Sequence, residues 1–155
     1  MAKVSDKKAV ARLSKELKKL KKKGFKGADA GPSNNSMLLW TAKIIGPKGC
    51  PYEGGKFKVQ IAFTEDYPMK PPELKFLTKI YHPSVKKSDG TVCPAIIGKN
   101  WAPVLNIFYI LETLQQMLLK PPTDSPLEEE IAEQLIRDKK KFDKEAKSWT
   151  KKHAK

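Results

Sequence analysis

An α+β fold is predicted by three features of the sequence. The N-terminal stretch is an amphipathic helix, strand-like runs follow between turn-rich segments, and helical spacing returns in the last third of the chain. No internal repeat or low-complexity linker breaks that order. The 155 residues suit one domain, 1–155, with a core large enough to need neither disulfide nor metal.

The first helix is expected over residues 5–23. Ser5 can cap it, and Val10, Leu13, Leu17 and Leu20 recur on one face. Five lysines crowd its last turns, where the helix dipole favours cations, and Gly24 is a natural stop. Strand is favoured from Trp40 to Ile45. Lys56–Phe63 alternates, with Phe57, Val59, Ile61 and Phe63 facing one way. The turn-rich run Gly46–Gly55 between them predicts a long-looped hairpin. A further short strand is expected at Leu74–Leu77, after Pro71-Pro72.

Helix returns at Ile107–Leu119. A third helix is signalled by Asp124 or Ser125 as cap, Pro126 at its first position and Glu128-Glu129-Glu130 in its first turn, with Leu127, Ile131 and Leu135 on one face. The last helix, from about Lys139, carries Phe142, Ala146 and Trp149.

The formal charge of +14 is concentrated at the two ends. Residues 1–26 carry net +9 and residues 137–155 net +6, so the body between them is close to neutral. Basic ends suit an acidic partner or simply a solvated helix face. No zinc spacing, RNA-binding aromatic signature or phosphate-binding glycine loop accompanies them, so dedicated nucleic-acid binding is not expected. No apolar run approaches the ~20 residues of a membrane helix, and Met1–Ser5 leads into no signal-peptide core. The two cysteines, Cys50 and Cys93, suit a reducing cytoplasm, with the nucleus also open.

Chemistry is expected in residues 78–105, a long aperiodic stretch mixing turn formers with Tyr81, His82, Cys93 and Trp101. Cys93 lies in Gly90-Thr91-Val92-Cys93-Pro94, where Pro94 stops the backbone continuing as regular helix. A lone cysteine is more often a small buried hydrophobe, but this setting favours a reactive thiol. His82 and Asn100 flank it at distances that keep a Cys-His-Asn hydrolase under consideration. Against that, His82 sits between Tyr81 and Pro83, as structural histidines do. Cys50 is the rival nucleophile, in a turn with nothing around it to stabilise a transition state.

These residues fall into an ordered set of motifs: Gly46-Pro47 with Pro51-Tyr52-Glu53-Gly54-Gly55, Tyr67-Pro68-Met69-Lys70-Pro71-Pro72, Lys79-Ile80-Tyr81-His82-Pro83, Gly90-x-x-Cys93, Trp101-Ala102-Pro103, and Asp124-Ser125-Pro126-Leu127. The set resembles the ubiquitin-conjugating enzyme family over roughly residues 8–152, and linked motifs in order are far more specific than any one alone. The resemblance implies an N-terminal helix, a four-stranded antiparallel meander, a catalytic loop and three helices. It implies that Cys93 takes ubiquitin, or a ubiquitin-like modifier, from an activating enzyme as a thioester. The thioester then passes to a ligase cysteine or a lysine amine. No organic cofactor or metal is implied; ATP is spent by the activating enzyme.

Residue by residue, the resemblance makes Ser84 and Asn100 candidate polar helpers of Cys93, with His82 and Pro83 structural. Arg12 and Lys15 fall on the helix that docks the activating enzyme and ligases. Met69, Pro103 and Val104 fall on the loops that meet RING, HECT or RING-between-RING ligases. Several positions depart from the family pattern. Ser84 stands where the family carries Asn, Ala95 where many members carry Asp, Ser125 where Asp is frequent, and Met69 where Phe is usual. The run Cys93-Pro94-Ala95-Ile96-Ile97 followed by Asn100-Trp101 resembles the branch that hands ubiquitin to ligase cysteines. A ubiquitin-binding scaffold that lost catalysis through Ser84 is the alternative of another class.

Overall fold

The computed structural model describes residues 7–33 and 36–155 in full, and residues 4–6 through their backbone. The chain runs α1 (Val4–Lys23), β1 (Ala28–Ser33), β2 (Ser36–Ile45), β3 (Lys56–Ala62), β4 (Glu73–Phe76), α2 (Ala95–Gly98), α3 (Ile107–Leu119), α4 (Glu129–Arg137) and α5 (Lys139–His153). The four strands form one antiparallel sheet in sequence order, so the chain climbs it as a meander.

The helical spacing of α1 puts Ala9, Leu13 and Leu20 in the core, against β2 and α3. Gly24, at φ +68°, ends the helix by donating its N–H to Leu20 O at 2.7 Å. The expected Ser5 cap lies outside the described side chains. In the sheet, Trp40, Ala42 and Ile44 of β2 stand in register with Ile61, Val59 and Phe57 of β3, all fully buried on one face. Leu74 and Phe76 of β4 continue that face, and α3 covers it with Ile107, Ile110, Leu111, Leu114 and Leu118. Each Val, Ile, Leu or Phe side chain buried here is worth about 1.5–3 kcal/mol relative to exposure.

Three expectations need correction. β2 begins at Ser36, and it pairs with β1, a strand whose sequence Ala-Asp-Ala-Gly-Pro-Ser has almost no strand propensity. Pairing along β2 holds it, from Ala28↔Ile44 to Ser33↔Ser36. The third helix starts at Glu129, with neither Asp124 nor Ser125 as its cap. The Leu127 and Glu128 N–H groups instead donate to Pro83 O, at 2.9 and 3.0 Å, which holds these residues in a bend ahead of the helix and leaves Leu127 outside it. Finally, a one-turn helix, α2, interrupts the stretch read as aperiodic.

α5 closes the fold at the far side. Phe142 and Trp149 lie 5.8 and 5.6 Å from the Tyr81 ring, and Tyr81 OH donates to Gln134 Oε1 of α4. The chain end is pinned to the sheet, where Lys56 N–H donates to Ala154 O at 2.8 Å.

Candidate active site

The segment after β4 is built onto the sheet by main-chain hydrogen bonds. Phe76 N–H donates to Gly90 O and Val92 N–H to Leu74 O, with a bridge at Lys75↔Thr91. Asp89-Gly90 makes the preceding turn, where Asp89 Oδ1 accepts Thr91 N–H at 2.9 Å. Gly90 has φ +83°, and a Cβ there would fall 2.0 Å from Phe76 O, so the position excludes a side chain.

Cys93 leaves this ladder with its N–H donating to Ser84 O at 2.9 Å. Pro94 then serves as N-cap of α2, which corrects its reading as a helix breaker. A proline has no N–H to satisfy, so it is tolerated where helices begin. Cys93 is 8% exposed and lines a cavity of about 360 Å³ bounded by Gln60, Ala62, Pro71, Leu74, Thr91 and Ile97. The thiol is mostly covered, yet it can be approached from the cavity side. Cys50 is placed differently. Its Sγ donates to Pro47 O at 3.1 Å, and burial pushes its pKa above the ordinary thiol value, which disfavours the thiolate needed for attack.

His82 is fully buried under the loop. Its Nδ1 accepts Ser84 N–H at 2.9 Å, so the ring proton sits on Nε2, which donates to Met117 O at 2.7 Å. Burial lowers its pKa to about 4, against the opposing pull of the Met117 bond. Both nitrogens are committed, so neither can take a proton from Cys93, and a Cys-His-Asn arrangement is not formed. Asn100 stands exposed beyond α2. Ser84 is only 2% exposed, and its main chain bonds to both neighbours here: its N–H donates to His82 Nδ1 and its carbonyl accepts Cys93 N–H. Pro83 links the loop to the segment before α4 through the two N–H groups that meet its carbonyl. Beyond α2, Lys99 Nζ lies 3.7 Å from Asp124 Oδ2, an exposed pair worth little.

Arg12, expected with Lys15 on the docking helix, is partly buried and bonded at its guanidinium rather than free. Its guanidinium lies 2.9 Å from Glu16 and donates to Pro103 O at 3.1 Å and Leu105 O at 2.8 Å. Lys15 keeps the exposed side. Met69 and Val104 are exposed apolar side chains on two loops that the fold ties together. Trp101 Nε1–H donates to Pro68 O at 2.8 Å, while Arg12 holds Pro103 and Leu105. Met69, Pro103 and Val104 are thus carried on loops fastened to each other and to α1.

Sequence reasoning missed Glu16, the buried carboxylate beneath this end. It accepts from Tyr67 OH at 2.8 Å and from Ile107 N–H at 2.7 Å, besides Arg12. The available signal was an acid between Leu13 and Leu17 on the apolar face of the helix.

The family model for ubiquitin-conjugating enzymes matches residues 12–150. The chain is 44% identical over 144 residues to the ubiquitin conjugating enzyme E2 B of Dictyostelium discoideum, covering 93% of this chain and 97% of that one. Among solved structures it is similar to a Toxoplasma gondii ubiquitin conjugating enzyme domain, with TM-score 0.84, 38% identity and coverage of 94% and 98%. A Plasmodium yoelii chain assigned to the same class superposes with TM-score 0.87 at 37% identity, covering 95% and 96%. The chain belongs to the ubiquitin-conjugating enzyme family, a family of transferases.

Proposed function

We propose that the chain carries ubiquitin as a thioester on Cys93 and passes it on to a ligase cysteine or a substrate lysine. The observation that carries this reading is the placement of Cys93, held by its own backbone at the wall of a cavity while Cys50 is tied down. The Cys93 thiolate attacks the carbonyl of the thioester on the activating enzyme, and that enzyme's cysteine leaves as thiolate. One thioester replaces another, so the exchange costs little. Toward a ligase cysteine the second transfer repeats this exchange; toward a lysine the neutral amine attacks the carbonyl, loses a proton and forms an amide as the Cys93 thiolate leaves.

Arg12 and Lys15 with Met69, Pro103 and Val104 form the proposed docking end for the activating enzyme and for RING, HECT or RING-between-RING ligases. The exposed apolar side chains there supply contact area, and Met adapts its shape readily. No helix among the described residues is long and apolar enough to cross a membrane. The proposed place of action is the cytoplasm, with the nucleus also open.

The test is incubation with activating enzyme, ATP and ubiquitin, followed by a non-reducing gel. A ubiquitin adduct that thiol reductant removes is expected. Binding of ubiquitin without an adduct would mark a scaffold instead. The same assay with a panel of ubiquitin-like modifiers fixes which modifier is loaded.

A further inference from the structure

The ladder that leads to Cys93 brings a carboxylate to its side. Lys75 pairs with Thr91, and in the next step Val92 N–H donates to Leu74 O. Carried one residue further, this register sets Glu73 of β4 opposite Cys93, where facing side chains stand about 5 Å apart at Cβ. The cavity agrees, since Glu73 and Cys93 both line it. Side chains alternate along a strand, so Glu73 and Lys75 share the cavity face while Leu74 and Phe76 point into the core.

Glu73 is the one acid in that lining and Lys75 the one base. Glu73 is exposed, and among the described residues it stands in no ion pair. Lys75 is shared with a second acid. The Asp89 carboxyl, held below the ordinary range chiefly by its bonds from Thr91, also feels Lys86 and Lys75. The rung of Cys93 therefore carries a carboxylate with no cation of its own.

That carboxylate bears on the second transfer. As an acceptor thiolate attacks the thioester carbonyl, the new S–C bond forms and the old one breaks. The electron pair of the old bond leaves on the Cys93 sulfur. An anion then appears opposite Glu73, and like charges directly opposite each other are destabilising. A cation brought in with the acceptor removes the conflict. Cysteines that react at neutral pH commonly have one, a Lys, Arg or protonated His beside the sulfur.

We propose that Glu73 sets a charge preference at Cys93, favouring acceptor cysteines that carry a neighbouring cation. This rests on the reading of Cys93 as the thioester carrier, and it specifies the kind of ligase cysteine that the site serves. Glu73 acts as a specificity-determining residue: it meets the charge beside the attacking sulfur. An acceptor flanked by acids meets repulsion instead.

The experiment isolates the ubiquitin adduct of the full chain and follows its single-turnover discharge by three small thiols at low salt. Cysteamine carries an ammonium, mercaptoethanol no charge and mercaptopropionate a carboxylate. The cysteamine-to-mercaptopropionate rate ratio is compared between variants, so the intrinsic reactivities of the thiols cancel. Glu73→Gln should lower that ratio about three- to tenfold, as loss of a unit charge a few ångström away does in a wet site. Glu73→Lys should lower it further, with mercaptoethanol moving least. Added salt should bring the parent ratio toward that of Glu73→Gln. Glu133→Gln, an acid of α4 outside the cavity, should leave it within about twofold, because distant exposed charges are screened. Slow loading does not affect the readout, and Glu73→Gln carries it alone if Glu73→Lys forms no adduct. An equal ratio in the parent and Glu73→Gln would overturn the proposal. So would an equal drop with Glu133→Gln, or a fall in free-lysine discharge with the thiol ratio unmoved, which would make Glu73 a base toward amines. Absence of any adduct in the parent chain would refute the thioester reading and this inference with it, whereas an adduct that ignores the charge beside the thiol refutes this inference alone.

Discussion

Arg12 Nε lies 2.9 Å from Glu16 Oε2, one turn along α1, and through this pair the helix holds both loops of the docking end. Glu16 binds Tyr67 OH from the loop before β4 and Ile107 N–H at the start of α3; Arg12 binds Pro103 and Leu105. Glu16 also accepts one of the N–H groups that every helix leaves unpaired at its start. Burial, and then the neighbouring carboxylate, raise the Tyr67 pKa far above the ordinary range, so its hydroxyl stays a donor.

Glu16→Ala should therefore be a stability variant. It strands Tyr67 OH, Ile107 N–H and the Arg12 charge, and breaking such a network costs about 3 kcal/mol. For a chain of this size the melting temperature should fall by about 6–12 °C. Arg12→Ala loses two bonds to carbonyls and should cost about 1–2 kcal/mol. Lys15→Glu should leave melting unchanged and slow thioester loading, increasingly so at low salt. Thermal melts beside loading rates separate the two; a Glu16→Ala melt matching the parent would refute the hub.

His82 makes stability depend on acid in a defined window. Its folded pKa of about 4 lies below the ordinary 6.5, so the unfolded chain binds the proton more readily. The stabilisation from keeping it neutral is full above about pH 6.5 and is lost as pH falls toward 4. At about 1.4 kcal/mol per pH unit, it amounts to about 3 kcal/mol by pH 4. Protonation would also set two N–H groups against each other at Ser84. Urea unfolding from pH 7 to 4 should show this loss in the parent and not in His82→Gln, which starts less stable. Parallel pH curves would remove His82 as the cause.

Cys93→Ser should keep the fold and convert the reducible adduct into a reductant-resistant oxyester, because an alkoxide is the poorer leaving group. Cys50→Ser should load normally, its thiol being bonded to Pro47 and disfavoured as thiolate. The reverse pattern on non-reducing gels would move the nucleophile to Cys50.

The elements with their own periodicity were legible in the sequence. Ile107–Leu119 reads as helix because five apolar residues recur at its spacing, and the bounds agree with the structure to the residue. β1 was not legible by pattern, since its strand state is imposed by β2; only the family resemblance implied a fourth strand. The start of α4 failed for the same kind of reason. Ser125-Pro126 is a sound local cap, but two N–H bonds to Pro83, more than forty residues away, override it. At the site, Cys93 could be singled out by its neighbours in sequence, whereas the inward turn of Arg12 depends on carbonyls some ninety residues away.

The acceptor preference of the thioester follows from the same loop. A lysine amine is protonated at neutral pH, so its attack gains from a carboxylate that takes the proton and from a donor for the developing oxyanion. This chain has Ala95 and Ser125 exposed where acids are frequent in the family. Ser84, where Asn is usual, is buried with its main chain spent on His82 and Cys93. Attack by a thiol needs less help, because a thiolate forms readily near neutral pH. Free cysteine, or a HECT-type ligase, should discharge the Cys93 adduct at least about tenfold faster than free lysine, given what general-base assistance contributes. Ala95→Asp is the cleaner of two variants, since residue 95 is exposed in the first turn of α2 and a carboxylate there disturbs no packing. Ser84→Asn must fit a larger side chain beneath the loop, and its melt has to be checked beside its rate. Together they should raise lysine discharge about tenfold or more while loading changes little. The measurement is single-turnover loss of the adduct against each amino acid without a ligase. Rapid lysine discharge by the parent chain would sink the proposal, and would point to Asn100, Asp124 or a backbone N–H as the group already assisting the amine.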